Sequence, residues 1–193
     1  MNDFHATPLN WSDFLAQFES TELGQQLQDA KDDGDFETAM SLAGDFLNPW
    51  LWEHNDSGGG FPVTVSSKGL GLLASRYPTL RTNLDMDTKE ALDNLLLPFA
   101  GKWMEPQIPR QPASDLPENM KLLAFGALSV ALSPERCFRI ANALQATQWQ
   151  QELDAILSND EEDETIRQML SVLTQLIVSA KARNAGVISV FET

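Results

Sequence analysis

The chain has 193 residues, of which 28 are acidic and 13 are lysine or arginine, so its formal net charge is −15. This length fits one domain, and a hydrophobic fraction of 42% is too high for a wholly disordered chain. So negative a chain is neither a general binder of nucleic-acid phosphates nor a peripheral binder of anionic membranes, because both need clustered lysine and arginine. The single cysteine, Cys137, excludes a disulfide scaffold.

The first quarter of the sequence has the spacing of three amphipathic helices. Apolar residues recur every three or four positions in three successive stretches, and Asn10 has the right chemistry to cap the first. An acidic turn at 32–35 separates the second helix from the third, and Asn48-Pro49 is predicted to end the third. The apolar stripe of the third helix consists of Phe36, Ala39, Met40, Ala43, Phe46 and Leu47.

A β-strand is predicted over 61–65, where Phe-Pro-Val-Thr-Val follows a glycine run. A helix is predicted after it, with a break at Pro78. Asp87 and Glu90 then resemble a capping box for a further helix, which Pro98 interrupts or ends.

Residues 69–74, Gly-Leu-Gly-Leu-Leu-Ala, match the glycine pattern of dinucleotide-binding turns. That pattern needs a strand directly before it and a parallel sheet around it. Three residues separate Val65 from Gly69, and the rest of the chain offers no set of strands for such a sheet. The sequence therefore favours a loop leading into a short helix, with close packing at the glycines.

Four of the ten prolines fall within 105–117, which predicts an extended arm. This arm would divide an N-terminal lobe, 1–104, from a C-terminal helical lobe, 118–193. The run from Met120 to Leu132 is apolar on most sides and predicts a central buried helix, because a membrane span needs about 20 residues. Ser133, followed by proline, predicts the start of the next helix.

The last long helix is predicted to begin at the acidic run 160–164 and to carry Lys181 in its final turn, with Gly186 as a stop. The tail 187–191 is apolar and β-branched, and it would dock against the body or pair with an edge strand. Together these elements predict a mainly α single domain, 1–193, built as a bundle of about six to eight helices. A minor β element is expected near 61–65 and in the C-terminal tail.

Sequence motifs for metal or cofactor chemistry fail on spacing. An EF-hand loop with Gly34 at its sixth position would place Lys31 and Met40 at ligand positions, where neither can serve. The two histidines, His5 and His54, lack a second histidine at zinc-ligand spacing. We therefore expect no metal and no cofactor, and we expect Cys137 to be a buried structural residue.

Candidate partner contacts are aromatic anchors and an acidic run. Two tryptophans after Pro49 would share one face of an extended chain, and a tryptophan and a methionine open the proline-rich arm. The acidic run would attract a basic partner. The candidate residues are Trp50, Trp52, Trp103, Met104, Asp160, Glu161, Glu162, Asp163 and Glu164.

Composition and missing motifs favour a non-catalytic, acidic protein-binding module of the chaperone, immunity or assembly accessory type. Its partner would be a basic protein, without direct nucleic-acid binding or membrane insertion. Two alternatives stay open: an enzyme with a site of carboxylates and His54 near the Gly58–Gly60 loop, and an acidic mimic of nucleic acid. One cysteine and no signal sequence predict a cytoplasmic protein. A homodimer is expected if the Met120–Leu132 helix leaves an apolar face uncovered.

Overall fold

The computed structural model describes residues 3–52, 63–101, 104, 114–125 and 128–191. Most of these residues are helical, and four strands form one sheet. The strands are β1 (Phe4–Leu9), β2 (Val63–Val65), β3 (Leu128–Leu132) and β4 (Gly186–Phe191). The α-helices are α1 (Trp11–Glu19), α2 (Leu23–Asp32), α3 (Phe36–Trp52), α4 (Ser67–Arg81), α5 (Met86–Ala100), α6 (Pro134–Ala146), α7 (Trp149–Ile156) and α8 (Glu161–Ala182), and a 3₁₀-helix spans Glu118–Phe125. The predicted mainly α fold with a minor β element is confirmed.

The sheet is antiparallel throughout its ladders, with the strand order β2-β1-β4-β3. β1 and β4 pair along their whole lengths, from Phe4 opposite Phe191 to Leu9 opposite Gly186. The two ends of the described chain therefore form the centre of the sheet. The strand predicted over 61–65 is present as β2 at Val63–Val65, and its first two positions lie outside the described residues. The C-terminal tail is a central strand instead of an addition to an edge.

Helices cover both faces of this sheet. On one face, α4 to α8 pack over a core that includes Phe4, Ala6 and Val187. On the other face, α1 to α3 and the 3₁₀-helix pack over a core that includes Ile188 and Val190. Both cores draw on both halves of the sequence, so the molecule has three layers with a buried sheet in the middle.

The predicted buried helix over Met120–Leu132 is wrong. Its first part belongs to the 3₁₀-helix and its last part is strand β3. Side chains of β3 enter both cores, with Val130 on one face and Ala131 on the other. A strand buried on both faces lacks polar alternation, so its apolar run resembles that of a buried helix. The expected homodimer rested on an uncovered face of this helix and loses that basis.

Three prolines lie inside helices that they were predicted to end or break. Pro49, Pro78 and Pro98 each occupy the C-terminal part of α3, α4 or α5. A proline in a helix costs about 3 kcal/mol because one hydrogen bond is lost. At least one buried side chain follows each proline, namely Leu51, Leu80 and Phe99, and burial of one large side chain returns about 1.5–3 kcal/mol. Tertiary packing thus stabilises the helical turn beyond each proline.

The end of the predicted proline-rich arm is fixed to the body. Asp115 accepts hydrogen bonds from the backbone N–H and the hydroxyl of Ser133, at 2.9 and 3.1 Å, and it forms an ion pair with Arg136 at 2.9 Å. Ser114 forms a parallel bridge with Ala131 of β3. The remainder of the arm, 105–113, lies outside the described residues. Within the described part of the chain, no helix combines the length and the apolar character that crossing a bilayer requires.

Candidate protein-binding surface

The aromatic and methionine candidates do not form one patch. Trp50 lies in α3, not in an extended chain, and its ring meets Phe14 edge-on at 5.5 Å between centroids. Only 7% of Trp50 is exposed, and Met104 is buried in the core on the opposite face of the sheet. The side chains of Trp52 and Trp103 lie outside what the structure describes. In this fold Trp50 and Met104 stabilise two different cores.

The acidic run 160–164 begins α8 as predicted. The side chain of Asp160 caps the helix by accepting the backbone N–H of Asp163 at 2.8 Å. This hydrogen bond, followed by one from the hydroxyl of Ser158, lowers the pKa of Asp160 below its ordinary value. Asp160, Glu161, Glu162 and Glu164 are exposed. They complement the positive end of the helix dipole and remain accessible to a partner.

Asp163 differs from the other four acids because it is only 2% exposed. Its carboxylate receives Arg76 of α4 at 2.9 Å and both the backbone N–H and the hydroxyl of Ser158, at 2.7 and 2.8 Å. These contacts join the start of α8 to α4 and to the preceding loop. In this conformation the buried carboxylate of Asp163 stabilises the fold through contacts within the chain. Its predicted contact with a partner remains a prediction.

Negative charge is concentrated on one helical layer. The stretch 11–52, which forms α1 to α3, holds nine acidic residues and a single basic one, Lys31. The stretches 66–100 and 133–182, which form α4 to α8, hold twelve acidic and eight basic residues. We call the exposed surface of 11–52 the acidic face. More than half of the net charge of the molecule lies on this face.

Ion pairs offset five of the twelve acids of the opposite layer, and none of the described ion pairs offsets an acid of the acidic face. Arg81 holds Asp93 at 2.7 Å, and Arg167 holds Asp154 at 3.0 Å. None of the ion pairs found among the described residues includes a residue of α1 to α3. The acidic face therefore presents uncompensated carboxylates, whose field attracts cationic surfaces.

Two large apolar side chains are exposed on the acidic face. Phe36 is 60% exposed and Met40 is 41% exposed, and they stand one turn apart on α3. The sequence placed both on the buried stripe of this helix, and that placement is wrong. The packed part of the stripe consists of Ala39, Ala43 and Leu47, so Phe36 and Met40 lie outside the core.

The turn before α3 fixes the position of this exposed pair. Gly34 adopts a left-handed backbone conformation, with φ of 69°, and Asp35 then caps the helix. The carboxylate of Asp35 accepts the hydroxyl of Thr38 at 2.6 Å and its backbone N–H at 3.0 Å. These two hydrogen bonds lower the pKa of Asp35, so it stays ionised beside Phe36. The apolar pair thus sits in a well-defined acidic setting.

An open groove of about 860 Å³ lies between α2 and the 3₁₀-helix. Buried Phe18 and half-buried Leu122 form its apolar floor. Carboxylates and amides form its walls, and none of the described residues that line it is a lysine or an arginine. The polar wall residues are Glu19, Thr21, Glu22, Gln25, Gln26, Gln28, Asp29 and Asn119. The groove is continuous with the acidic face because most of its residues belong to α1 and α2.

Gly69 and Cys137, two residues considered above for ligand binding or catalysis, are packed inside the fold. Residues 69–74 lie inside α4 and not in the predicted loop, and the expected close packing is found at Gly69, where a Cβ would come within 2.8 Å of Met169, but not at Gly71. Burial, and then the charge of Asp115, raise the pKa of the Cys137 thiol to about 12, which leaves it protonated and unreactive. No group of three metal-binding side chains occurs among the described residues, and His54 lies outside them.

Comparison with known proteins returned no relative. No family model matches the sequence, no curated protein is similar to it, and no solved structure matches the fold.

Proposed function

We propose that this is a non-catalytic binding protein whose acidic face docks a basic protein partner, in the manner of a chaperone, an immunity protein or an assembly accessory factor. The observation that carries the proposal is the segregation of charge. Nine acids and one lysine lie in 11–52, where none of the described ion pairs offsets them. Such a surface accelerates association with a cationic partner and lowers the affinity for other acidic proteins.

Phe36 and Met40 would contribute most of the binding free energy, and the surrounding carboxylates would mainly increase the association rate. Buried large apolar side chains dominate interface energetics, and exposed rim charges mainly change the association rate and its salt dependence. Both side chains are largely accessible, at 60% and 41%, so a partner could bury additional apolar area on them. Anchors surrounded by acids would select a partner with an apolar pocket and a basic rim.

The test is affinity capture from the native extract with three forms of the protein. The double variant Phe36→Ser, Met40→Ser removes the anchors, and Met86→Ser is the matched control, because Met86 is 74% exposed at the start of α5 in the opposite layer. We expect wild type and Met86→Ser to capture the same basic protein in stoichiometric amounts at about 50 mM salt and to lose most of it at about 500 mM. The double variant should capture little of it at either salt concentration.

Equal capture of that protein by all three forms would contradict the placement of the contact on α3. No stoichiometric basic partner at either salt concentration would contradict the proposed function itself. In that case the alternative of an enzyme with a site near His54 becomes the leading hypothesis.

The acidic-mimic alternative gains one supporting observation, since nine acids and a single lysine lie in the layer formed by α1 to α3. Duplex DNA competing for the captured partner would favour mimicry. Persistence of the complex in excess DNA would favour the binding module.

A further inference from the structure

We infer that the groove between α2 and the 3₁₀-helix receives an arginine-bearing peptide segment of the basic partner, an inference that rests on the proposed function. The volume of about 860 Å³ is near the upper end of ligand clefts, which span about 300–1,000 Å³. A space of this size accommodates several side chains of a peptide. Its openness to solvent suits a segment that remains connected to a larger protein.

The chemistry of the walls selects arginine. Glu19, Glu22 and Asp29 contribute three carboxylates, and the surrounding glutamines add amide oxygens that also accept hydrogen bonds. A guanidinium group has five donors in a planar fork that matches carboxylate geometry, whereas a lysine ammonium is a compact and strongly hydrated charge. The amide of Gln25 donates to Asp29 at 2.7 Å, but this donor is neutral. The described residues that line the groove include no cation that would offset the charge of its carboxylates.

The floor of the groove accepts the apolar part of the same segment. Phe18 packs edge-on against Phe46 at 5.6 Å, which fixes its ring at the base. Leu122 is half-buried and faces the same space. Arginine stems and neighbouring apolar side chains lie along such surfaces while the charged group reaches the walls.

Gly24 borders this floor beside the Phe18 ring. It lies in the first turn of α2, and a Cβ at this position would meet the Phe18 ring at 3.5 Å, an ordinary van der Waals distance. The packing of the fold therefore does not require glycine here, although glycine is less favourable than alanine in a helix. A larger side chain at this position would extend over the ring and occupy the groove.

Charge complementarity also decides between occupants. A second copy of this chain would bring its own net charge of −15 to a groove lined by carboxylates. Like-charged surfaces in contact are strongly disfavoured. The occupant is therefore a basic segment of a different protein.

The experiment measures fluorescence anisotropy of three short labelled peptides, in which leucine alternates with arginine, with lysine or with glutamate. One triple variant carries Glu19→Gln, Glu22→Gln and Asp29→Asn in the groove. The matched triple variant carries Asp13→Asn, Glu37→Gln and Asp45→Asn on the same helical layer outside the lining residues, so both triples change the net charge equally. Gly24→Leu blocks the groove without changing charge, and Gly24→Ala is its milder companion.

We expect wild type to bind the arginine peptide most tightly, the lysine peptide several-fold more weakly and the glutamate peptide not at all. The groove triple and Gly24→Leu should each weaken binding of the arginine peptide by about tenfold or more, and the matched triple by less than about threefold. Circular dichroism and thermal midpoints confirm that each variant is folded. If Gly24→Leu is not folded, Gly24→Ala should still weaken binding measurably.

If the two triple variants lose the same affinity for the arginine peptide, or if the folded glycine variants bind it as tightly as wild type, the groove is not the binding site. A diffuse electrostatic contact on the acidic face would remain compatible with that result. Wild type that binds none of the peptides would also overturn the groove. The proposed function itself fails only in the capture experiment, so the two failures are distinguishable.

Discussion

Replacement of Asp163 by asparagine should destabilise the fold, although this residue belongs to an acidic run whose other members are exposed. The substitution would keep the size of the side chain and replace one carboxylate oxygen by an amide nitrogen. One oxygen of Asp163 faces Arg76, and the other faces the N–H and hydroxyl of Ser158. Whichever orientation the amide adopts, its nitrogen faces a hydrogen-bond donor.

The magnitude follows from the exposure of the two partners. Removing one member of a buried ion pair costs about 3–5 kcal/mol. Arg76 has 39% of its side chain exposed, so water replaces part of its lost interaction, and the cost falls to about 2–3 kcal/mol. At about 2–4 °C for each kcal/mol in a chain of this length, we expect the Tm to fall by about 4–12 °C.

The assay is thermal and urea unfolding of Asp163→Asn beside Glu161→Gln. Glu161 is exposed in the same helical turn, and its substitution removes the same charge. We expect Glu161→Gln to remain within about 0.5 kcal/mol of wild type. Equal stability of the two variants would refute the assignment of Asp163 to a buried network and would return it to the set of accessible acids.

Three further predictions test the packing and the ionisation states. Gly69→Ala should lower the free energy of unfolding in urea by about 1–3 kcal/mol, because the new Cβ would meet Met169. Gly71→Ala should stabilise α4 by up to about 1 kcal/mol, because no neighbouring atom lies within 4 Å of its Cβ. Equal effects of the two substitutions would contradict this helix packing. Cys137 should react with a thiol reagent at about pH 8 only after unfolding, and rapid labelling of the native protein would contradict its burial. Because capping lowers the pKa of Asp160, its stabilising contribution should be complete above its ordinary pKa of 3.8 and lost as the pH falls through the lower folded-state value. Asp160→Ser keeps a capping side chain without an ionisable group, so its Tm should fall less than that of wild type in this acidic range, and parallel profiles would contradict the shift.

Helix starts were predictable because a cap depends on a few adjacent residues. Asn10 and Ser133 each accept the backbone N–H three residues further on, as predicted, and Asp160 does the same at the acidic run that was predicted to begin the last helix. The capping box predicted at Asp87 is wrong by two residues, since Asp85 accepts the N–H of Thr88 and caps α5. Both aspartates precede the same apolar run, and local chemistry does not distinguish them.

The strands were harder to predict because their pairing joins distant parts of the chain. No strand was predicted over Phe4–Leu9, yet this segment is β1 and pairs with β4 at the other end of the described sequence. Its residues enter both cores, with Phe4 on one face and Leu9 on the other, so no polar face marks it as a strand. Its position depends on tertiary contacts, which periodicity within one segment does not contain.

The acidic face was partly contained in the sequence. Counting charges over 11–52 reveals the excess of acids. The densest acidic cluster within this stretch, the turn at 32–35, resembles an ordinary solvated loop and does not indicate a binding surface. Exposure of Phe36 and Met40 depends on where α3 begins to contact the sheet layer, which their spacing does not determine. The groove depends on the 3₁₀-helix that replaces part of a predicted α-helix. Global packing therefore decides which acids and apolar residues meet at the surface.

Hydrogen exchange on the captured complex, compared with the free protein, tests the central claim most directly. The account predicts new protection of backbone amides in α1 to α3 and the 3₁₀-helix, with the exchange of α4 to α8 unchanged. Protection confined to the start of α8 or to the opposite helical layer would contradict a partner docked on the acidic face.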